Sequence, residues 1–460
     1  MDTAVLDAFV VDKMSATGLP GLSLALVEDD QVVYARGFGL RDVVNGYPAT
    51  PDTLYSIGSV TKSFTVLAIL MLVEEGKLQL DDPIDRYVPF SVKPMGENIQ
   101  IQHLLSHTTG IPALAYAEAI LRHASGTGGK ALAIGGPEDI ISFANDAADW
   151  VETHPGERWF YFNEGYAMLG QIIEQASGQP YNDLMHNRIL HPLGMTHSFF
   201  SKAEVDAADD VAVPYTVIPN ADPKPGRYLY RSIRSEGGLI SSVMELSKAI
   251  MMYLRQGQGL LSEALMAEMW QPRVPLPSHP NISLFADGEV MASQAHYASG
   301  LITEDFFGEP LVSHGGSVGV ATAHMAFLPQ SKLGVALLTN GSGYPTAQFA
   351  KVALASLLNK DWQKLPFMRV ESHLTSLTGH YETYKGTMTA QVQTQADFLK
   401  LILPGGAQPQ EVILVPERLG EETSSFFTLT GGQRLPVSFH KRDGKVELIF
   451  ERYKFKRVHS

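Results

Sequence analysis

Ser59 and Lys62 are three residues apart at the start of a long apolar segment. Residues three apart on a helix share a face, so the Lys62 amine can reach the Ser59 hydroxyl. A lysine in an apolar pocket loses part of its preference for the charged form, and a neutral amine can accept a proton from a serine nucleophile. The helix N-terminus also directs backbone N–H groups at an oxyanion formed there. The pair predicts a serine nucleophile activated by a lysine.

Two further segments carry groups that acyl transfer requires. Tyr161 and Asn163 are two residues apart in an extended segment, so their phenol and amide face the same way. The segment His314-Gly315-Gly316-Ser317 lies between two strand-like runs. Glycine there permits close approach of a substrate, and the following N–H can donate to an oxyanion. Taken alone, Tyr161 and Asn163 also fit an aromatic anchor followed by a helix cap.

Together these three segments resemble the serine β-lactamase and penicillin-recognising family. That family has Ser-x-x-Lys, then Tyr-x-Asn, then a Lys/His-x-Gly triad on an edge strand. The order and spacing in this chain are compatible with the all-α insertion that those proteins carry. The resemblance covers about residues 1 to 360 and includes three further segments, 102–110, 189–195 and 236–242.

The resemblance implies an acyl-enzyme mechanism without metal or organic cofactor. Ser59 would attack a carbonyl, and Lys62 and Tyr161 would share the proton transfer, with the identity of the base left open. The resemblance also implies a catalytic position for His314. The substrate-binding residues would be Asn163, which would hold the substrate amide or Lys62, together with Gly316 and Ser317. The N–H groups of Ser59 and Ser317 would form the oxyanion hole.

His314 stands where most β-lactamases place a lysine. Histidine is largely neutral near pH 7 and supplies no permanent charge for a lactam carboxylate. In the family, histidine here is more typical of D-aminopeptidases, other peptidases and carboxylesterases. The resemblance therefore implies a serine hydrolase of small peptides or esters, first a D-amino-acid-selective peptidase and second a carboxylesterase. A weak β-lactamase, or a penicillin-binding sensor that is acylated without turnover, is the remaining alternative.

Two other motifs indicate different chemistry. Residues 315–319 fit Gly-x-Ser-x-Gly, the nucleophile elbow of α/β-hydrolases, which would make Ser317 the nucleophile. That alternative needs a histidine from the C-terminal region. His103 and His107 have the four-residue spacing of zincins, but no glutamate follows the first histidine, so packing or capping is favoured and no metal site is predicted.

Composition limits the partners of the protein. Its 49 acidic and 35 basic residues give a formal net charge of −14, which argues against a nucleic-acid partner. The absence of cysteine excludes disulfides and thiolate nucleophiles. The most apolar run, residues 64–73, is shorter than the roughly 20 residues of a membrane span and predicts a buried helix. Met1-Asp2-Thr3-Ala4 does not open a signal peptide, so a cytoplasmic location is expected, or a periplasmic or secreted one if a leader was trimmed.

The pattern of strands and helices predicts two domains. Strand signals at 21–40, 322–328 and 333–339 enclose a long helical region, which predicts an α/β (α+β) domain over residues 1–360. The resemblance implies an antiparallel sheet flanked by helices. We expect a linker at 361–373 and a lipocalin-like antiparallel β-barrel at 374–460. The barrel either bounds the cleft or mediates the contacts of a homo-oligomer, and the sequence leaves both open.

Overall fold

The computed structural model describes residues 3–126, 128, 130–218, 221–230, 232–277, 285, 294–343, 345–405 and 408–459. The chain divides into two compact units. The first contains Met1–Pro277 and Gln294–Lys360, and the second contains Asp361–Ser460 together with Phe285. Within these described ranges, no helix has the length and apolarity needed to cross a membrane.

The first unit contains strands of very different length. In chain order they are β1 Gly21–Glu28, β2 Gln31–Asp42, β3 Tyr47–Pro48, β4 Tyr55–Ser56, β5 Tyr215–Thr216, β6 Lys224–Pro225, β7 Ile240–Ser241, β8 Val274–Pro275, β9 His296–Tyr297, β10 Ile302–Phe306, β11 Glu309–Ser317, β12 Thr322–Leu328 and β13 Leu333–Thr339. Strands β4 and β7 form one separate pair, and β5 and β6 form another.

Helices surround these strands. They are α1 Thr3–Thr17, α2 Thr61–Glu74, α3 Ile101–Leu105, α4 Tyr116–Ala124, α5 Pro137–Asn145, α6 Asn163–Ser177, α7 Tyr181–Met185, α8 Lys202–Asp206, α9 Val243–Leu254, α10 Glu263–Trp270 and α11 Thr346–Leu357. Shorter turns of 3-10 helix occupy Gly58–Val60, Ile84–Arg86, Pro94–Gly96 and Ala147–Trp150, and a π-helical turn occupies His186–Leu190. Helices α2 to α8 lie between β4 and β5, which is the predicted helical insertion.

The main sheet is antiparallel and, among the described residues, has nine strands. Their order is β3-β2-β1-β13-β12-β11-β10-β9-β8. The sheet brings together the N-terminal and C-terminal parts of this unit's sequence, because β1 pairs with β13. The pairing runs from Leu22 opposite Thr339 to Glu28 opposite Leu333. Every residue of β13 is buried, and helices α9 and α11 both pack on it. The predicted antiparallel sheet flanked by helices is confirmed.

Helix α2 forms the centre of the first unit. Eleven residues of this 14-residue helix are buried, including Phe64, Leu67 and Leu70. It packs against α6, α7 and α10, so residues on most sides of the helix are buried and not only those along one stripe. The helix ends at Glu74, and Glu75 and the left-handed Gly76 (φ 70°) follow.

The second unit is a closed barrel. Its eight described strands are β14 Gly379–Glu382, β15 Thr389–Gln395, β16 Phe398–Leu403, β17 Gln410–Arg418, β18 Thr423–Thr430, β19 Gln433–Arg442, β20 Lys445–Phe450 and β21 Tyr453–His459. All neighbours are antiparallel, and β14 closes the barrel by pairing with both β15 and β21. Alternate residues such as Leu399 and Leu401 fill the interior, as the alternating sequence predicts. Closure leaves no free sheet edge.

The segment predicted as a linker, residues 361–373, contains helical structure. A 3-10 turn spans Trp362–Lys364, and helix α12 spans Pro366–Thr375. Leu374 of this helix belongs to the barrel core. Val370, inside the segment, also packs against the barrel core.

Candidate active site

Ser59 and Lys62 lie where a 3-10 turn meets helix α2. Ser59 is in the turn Gly58–Val60, and Lys62 is in the first turn of the helix. The Lys62 Nζ atom is 3.1 Å from Ser59 Oγ. The turn runs directly into the helix, so the three-residue spacing directs both side chains to the same side. The structure brings together the two residues that the sequence singled out.

The other two polar contacts of the Lys62 amine are to oxygens that can only accept a hydrogen bond. Nζ donates to Asn163 Oδ1 at 2.8 Å and to the backbone carbonyl of Glu236 at 2.6 Å. A neutral amine has two N–H bonds and one lone pair, and these two acceptors use both N–H bonds. The lone pair is then directed at Ser59 Oγ. This is the arrangement that a general base for Ser59 requires.

Burial changes the charge state of Lys62. The side chain is fully buried, and desolvation lowers the pKa of Lys62 to about 7. Three carboxylates oppose this effect and raise the pKa: Glu236, Glu118 and Glu164. The Tyr161 ring, whose centroid is 4.8 Å from Nζ, also favours the charged amine. The amine therefore exchanges its proton close to neutral pH.

Tyr161 and Asn163 stand on either side of the start of helix α6. Tyr161 is in the extended segment before the helix, and Asn163 is the first helical residue. Burial raises the pKa of Tyr161, and a hydrogen bond with the Ser59 side chain offsets part of that rise. The phenol is therefore neutral at pH 7 and faces the serine. Asn163 faces the same centre through its contact with Lys62.

His314 lies beside Tyr161, with ring centroids 6.3 Å apart. Its Nδ1 donates to the carbonyl of Gly315 at 2.6 Å, and its Nε2 accepts from the Tyr297 hydroxyl at 3.0 Å. Burial, with a smaller effect of the Lys62 charge, lowers the pKa of His314 to about 3. The imidazole is therefore neutral, and both of its nitrogens are already hydrogen-bonded. Its ring therefore packs beside Tyr161, and its two hydrogen bonds go to Gly315 and Tyr297 instead of Ser59.

The strand that carries His314 is not the edge strand that the resemblance implies. Strand β11 lies inside the sheet, between β10 and β12. However, its pairing with β10 ends where Ser313 meets Ile302, whereas its pairing with β12 continues to Ser317. Residues 314–317 therefore present a backbone edge that the described part of β10 does not cover. The physical reason for the difference is that the short strands β8, β9 and β10 extend the sheet only up to this point.

The turn that carries Ser59 packs directly on this backbone edge. A Cβ atom added at Gly316 would lie 1.9 Å from Ile57 O and 3.0 Å from Ser59 N. A Cβ atom added at Gly58 would lie 2.7 Å from Ser317 N. The two N–H groups that the sequence predicts as an oxyanion hole therefore belong to two closely packed backbones. Only glycine at these positions permits this approach.

Replacing Gly316 by alanine tests this close approach. We expect acylation of Ser59 to fall by about 10²-fold or more, because the new methyl group must push the turn away from β11 and separate the two N–H groups. Gly315→Ala is the matched control, since its Cβ would lie 3.4 Å from His324 Nδ1, an ordinary contact. Stopped-flow acylation rates for both variants provide the measurement. Equal effects of the two substitutions would contradict this geometry.

A cavity of about 850 Å³ opens over these residues. Its walls include the predicted residues Ser59, Tyr161, Asn163, His314, Gly316 and Ser317. Other lining residues were not predicted: Glu118, Trp159, Glu236, Tyr297 and His324. The cavity also has an apolar part, to which Leu121, Ile233, Leu276 and Ile302 contribute. The predicted groups thus converge on one space large enough for a small organic substrate.

Sequence reasoning did not place three aromatic side chains at the site: Tyr297, His324 and His107, the last of which was expected only to pack or cap. The Tyr297 ring packs on His314, and its hydroxyl fixes that imidazole. His324 lies on β12 directly opposite Gly315. Neither residue has a local sequence pattern, because pairing across the sheet brings it to the site. His107 lies in the segment 102–110 that carries the family resemblance, and that segment was the available signal.

The two rival motifs do not form the sites that they would require. Strand β11 leads through a turn into strand β12, whereas a nucleophile elbow needs a strand, a turn and a helix. Ser317 Oγ accepts a hydrogen bond from the Gly319 N–H at 3.2 Å. In the described ranges, no group of three or more His, Asp or Glu side chains could hold a metal ion. The Nδ1 atoms of His103 and His107 accept backbone hydrogen bonds from Gln100 and Phe162.

Two protein families match separate parts of the chain. The Beta-lactamase family matches residues 6–359. This chain belongs to that family. Residues 362–456 match a second family, described as the Pab87 octamerisation domain. The eight-stranded barrel lies within this matched segment. Its predicted similarity to lipocalins stays a prediction.

Known proteins resemble the chain over different lengths. The structure of an octameric penicillin-binding protein homologue from Pyrococcus abyssi is 41% identical, covers 99% of this chain and 100% of its own, and has a TM-score of 0.92. Protein flp of Staphylococcus aureus is 30% identical over 342 residues, which is 73% of this chain. The match spans only 62% of the length of flp. The D-amino acid amidase of Ochrobactrum anthropi shares the fold, with 22% identity, a TM-score of 0.61 and coverage of 77% of this chain and 97% of its own.

Proposed function

We propose that this protein hydrolyses amide bonds through an acyl-enzyme at Ser59 and prefers small substrates with a D-amino acid. The observation that carries the proposal is the geometry of the Lys62 amine. In the neutral amine, the two N–H bonds are donated to Asn163 and to the Glu236 carbonyl, and the lone pair faces Ser59 Oγ. A buried amine with a pKa of about 7 is suited to accept the serine proton.

The proposed reaction has two stages. Ser59 Oγ forms a bond to the substrate carbonyl carbon while its proton passes to Lys62 Nζ. The carbonyl oxygen becomes an oxyanion that the N–H groups of Ser59 and Ser317 stabilise. Tyr161 donates its phenolic proton to the leaving amine as the C–N bond breaks, and recovers a proton from Lys62. In the second stage a water oxygen forms a bond to the ester carbonyl carbon; the water gives a proton to Tyr161 as Tyr161 passes its own to Lys62. The bond from carbon to Ser59 Oγ then breaks, and Lys62 returns the proton to Ser59 Oγ.

The neutral state of His314 supports a peptidase over a β-lactamase. A lysine at this position would supply a permanent cation for a substrate carboxylate. The buried imidazole of His314 carries no charge at pH 7, and its nitrogens are bonded to Gly315 and Tyr297. We assign His314 a structural role: its ring forms the cavity wall beside Tyr161 and supports that side chain. The preference for a D-amino acid rests on the family resemblance and on the amidase that shares the fold.

A substrate panel tests the proposed function. We expect D-aminoacyl p-nitroanilides to be hydrolysed with kcat/KM at least about tenfold above that of the L-forms and above that of a β-lactam chromophore. Hydrolysis of short-chain p-nitrophenyl esters with no hydrolysis of any anilide would favour the carboxylesterase alternative. A single burst of product without turnover would identify a penicillin-binding sensor. Either result would contradict the peptidase assignment.

We also propose that the protein is a homo-oligomer. Two observations support this: the barrel matches a family described as an octamerisation domain, and the homologue that is 41% identical is described as octameric. An octamer of this 50.2 kDa chain would have a mass of about 400 kDa. Size-exclusion chromatography with light scattering measures that mass. A species with the mass of one chain at micromolar concentration would contradict the proposal.

A further inference from the structure

His107 holds the backbone on both sides of Tyr161. Its carbonyl accepts a hydrogen bond from the Phe160 N–H at 2.8 Å, and its ring Nδ1 accepts one from the Phe162 N–H at 2.9 Å. The two donors are the residues immediately before and after Tyr161. One histidine therefore fixes the position and the direction of the segment that carries the phenol.

The chain adopts an unfavourable backbone conformation to place this histidine. His107 has φ of 57°, in the left-handed region that residues with a Cβ atom adopt uncommonly. The residue follows the short helix α3, Ile101–Leu105, and is fully buried. A strained and buried polar residue of this kind persists only where its surroundings hold it in place.

The ring of His107 packs directly on the aromatic residues of the site. Its centroid is 4.2 Å from that of Tyr161, 5.0 Å from that of Tyr166 and 4.8 Å from that of Tyr297. Since Nδ1 accepts from a backbone N–H, the neutral ring carries its proton on Nε2. The imidazole therefore supports the face of the Tyr161 ring and, at the same time, bonds the backbone next to it.

We propose that His107 is a positioning residue, which directs the Tyr161 phenol at Ser59 by clamping residues 160–162. This inference rests on the proposed function, since it gives His107 a role only if Tyr161 transfers a proton. His107 does not touch the reacting atoms. Its loss should lower kcat through a displaced phenol and leave substrate affinity nearly unchanged.

Asparagine and glutamine at position 107 form a matched pair. Asparagine places its Oδ1 close to the position of the histidine Nδ1 and tolerates a left-handed backbone. Glutamine has the same amide one methylene farther out, so its oxygen misses the Phe162 N–H. We expect His107→Asn to keep kcat within about threefold and His107→Gln to lower kcat by about 10²-fold, with KM changed by less than about threefold in both.

A double-substitution cycle shows whether His107 acts through Tyr161. In a Tyr161→Phe background, His107→Gln should lower kcat by less than about twofold further, because the phenol that it positions is already gone. Circular dichroism and thermal unfolding confirm that each variant is folded. If His107→Gln does not fold, His107→Ala removes the same acceptor without added bulk and replaces it in the cycle.

The outcomes separate this inference from the proposed function. Equal kcat values for the asparagine and glutamine variants would overturn the positioning role, and so would the same loss in both backgrounds. In each case a wild-type enzyme that acylates Ser59 and turns over would leave the proposed function in place. A wild-type protein that is not acylated at Ser59 by an active-site probe would instead overturn the proposed function, and the inference with it.

Discussion

Ser59→Ala is expected to remove turnover while the protein stays folded. The Ser59 oxygen is the atom that would form the ester bond to the acyl group, and alanine has no atom that can replace it. We expect kcat to fall by a factor on the order of 10⁴ or more. The fold should survive, because Lys62 keeps its contacts with Asn163 and the Glu236 carbonyl. Steady-state kinetics and thermal unfolding of the same sample provide the two measurements.

Ser317→Ala is the matched control for this substitution. Ser317 lines the same cavity, and its hydroxyl accepts a hydrogen bond from the Gly319 N–H. Alanine keeps the backbone N–H that is proposed for the oxyanion hole, so kcat should stay within about tenfold of the wild-type value. The opposite pattern, with the large loss in Ser317→Ala, would contradict the assignment of Ser59 as the nucleophile.

Lys62→Met is expected to have the second largest effect. Methionine fills much of the apolar space of the lysine side chain but has no group that can accept the Ser59 proton. We expect the acylation rate to fall by about 10² to 10⁴-fold. Lys62→Ala should lower the rate similarly and also leave a cavity in the core. A methionine variant that acylates at the wild-type rate would show that another group accepts the proton.

The pH dependence of acylation follows from the charge state of Lys62. With its pKa lowered to about 7, the fraction of neutral amine rises as the pH increases through this value. The rate should therefore increase from pH 6 to pH 8 and then level off. Burial also raises the pKa of Glu164 to about 7, so this carboxyl titrates in the same range. A falling rate over this interval would contradict a neutral lysine base.

Glu164→Gln separates the two titrations. The Glu164 carboxylate raises the pKa of Lys62, so its removal should shift the rising part of the profile to lower pH, without abolishing it. A profile that becomes flat in this variant would show that Glu164 carries the pH dependence instead. Single-turnover acylation rates measured from pH 5 to pH 9 distinguish the two results.

The sequence was most informative where chemistry depends on neighbours along the chain. Ser59 and Lys62 are brought together by one helical turn, and Tyr161 and Asn163 by their spacing of two residues. Local geometry of this kind can be read from spacing. The long buried helix α2 and the alternating strands of the barrel were predicted for the same reason, since their periodicity is a property of short segments.

The sequence was least informative where distant segments meet across the sheet. Strand β1 pairs with β13, and the Tyr297 hydroxyl reaches His314 from another strand. Such contacts depend on strand order, which no local period specifies. Strands β8 and β9 are only two residues long, so they have no alternation to detect. Together with β10 they extend the sheet beyond β11, and the pairing of β10 ends at Ser313, which leaves residues 314–317 for the turn that carries Ser59.

Intact-mass spectrometry after exposure to a fluorophosphonate probe tests the nucleophile most directly. The wild-type protein, Ser59→Ala and Ser317→Ala are treated in parallel, and peptide mapping locates the label. We predict one label per chain on Ser59 in the wild type and in Ser317→Ala, and none in Ser59→Ala. Loss of the label in Ser317→Ala alone, or labelling of Ser59→Ala at the wild-type level, would contradict a lysine-activated Ser59.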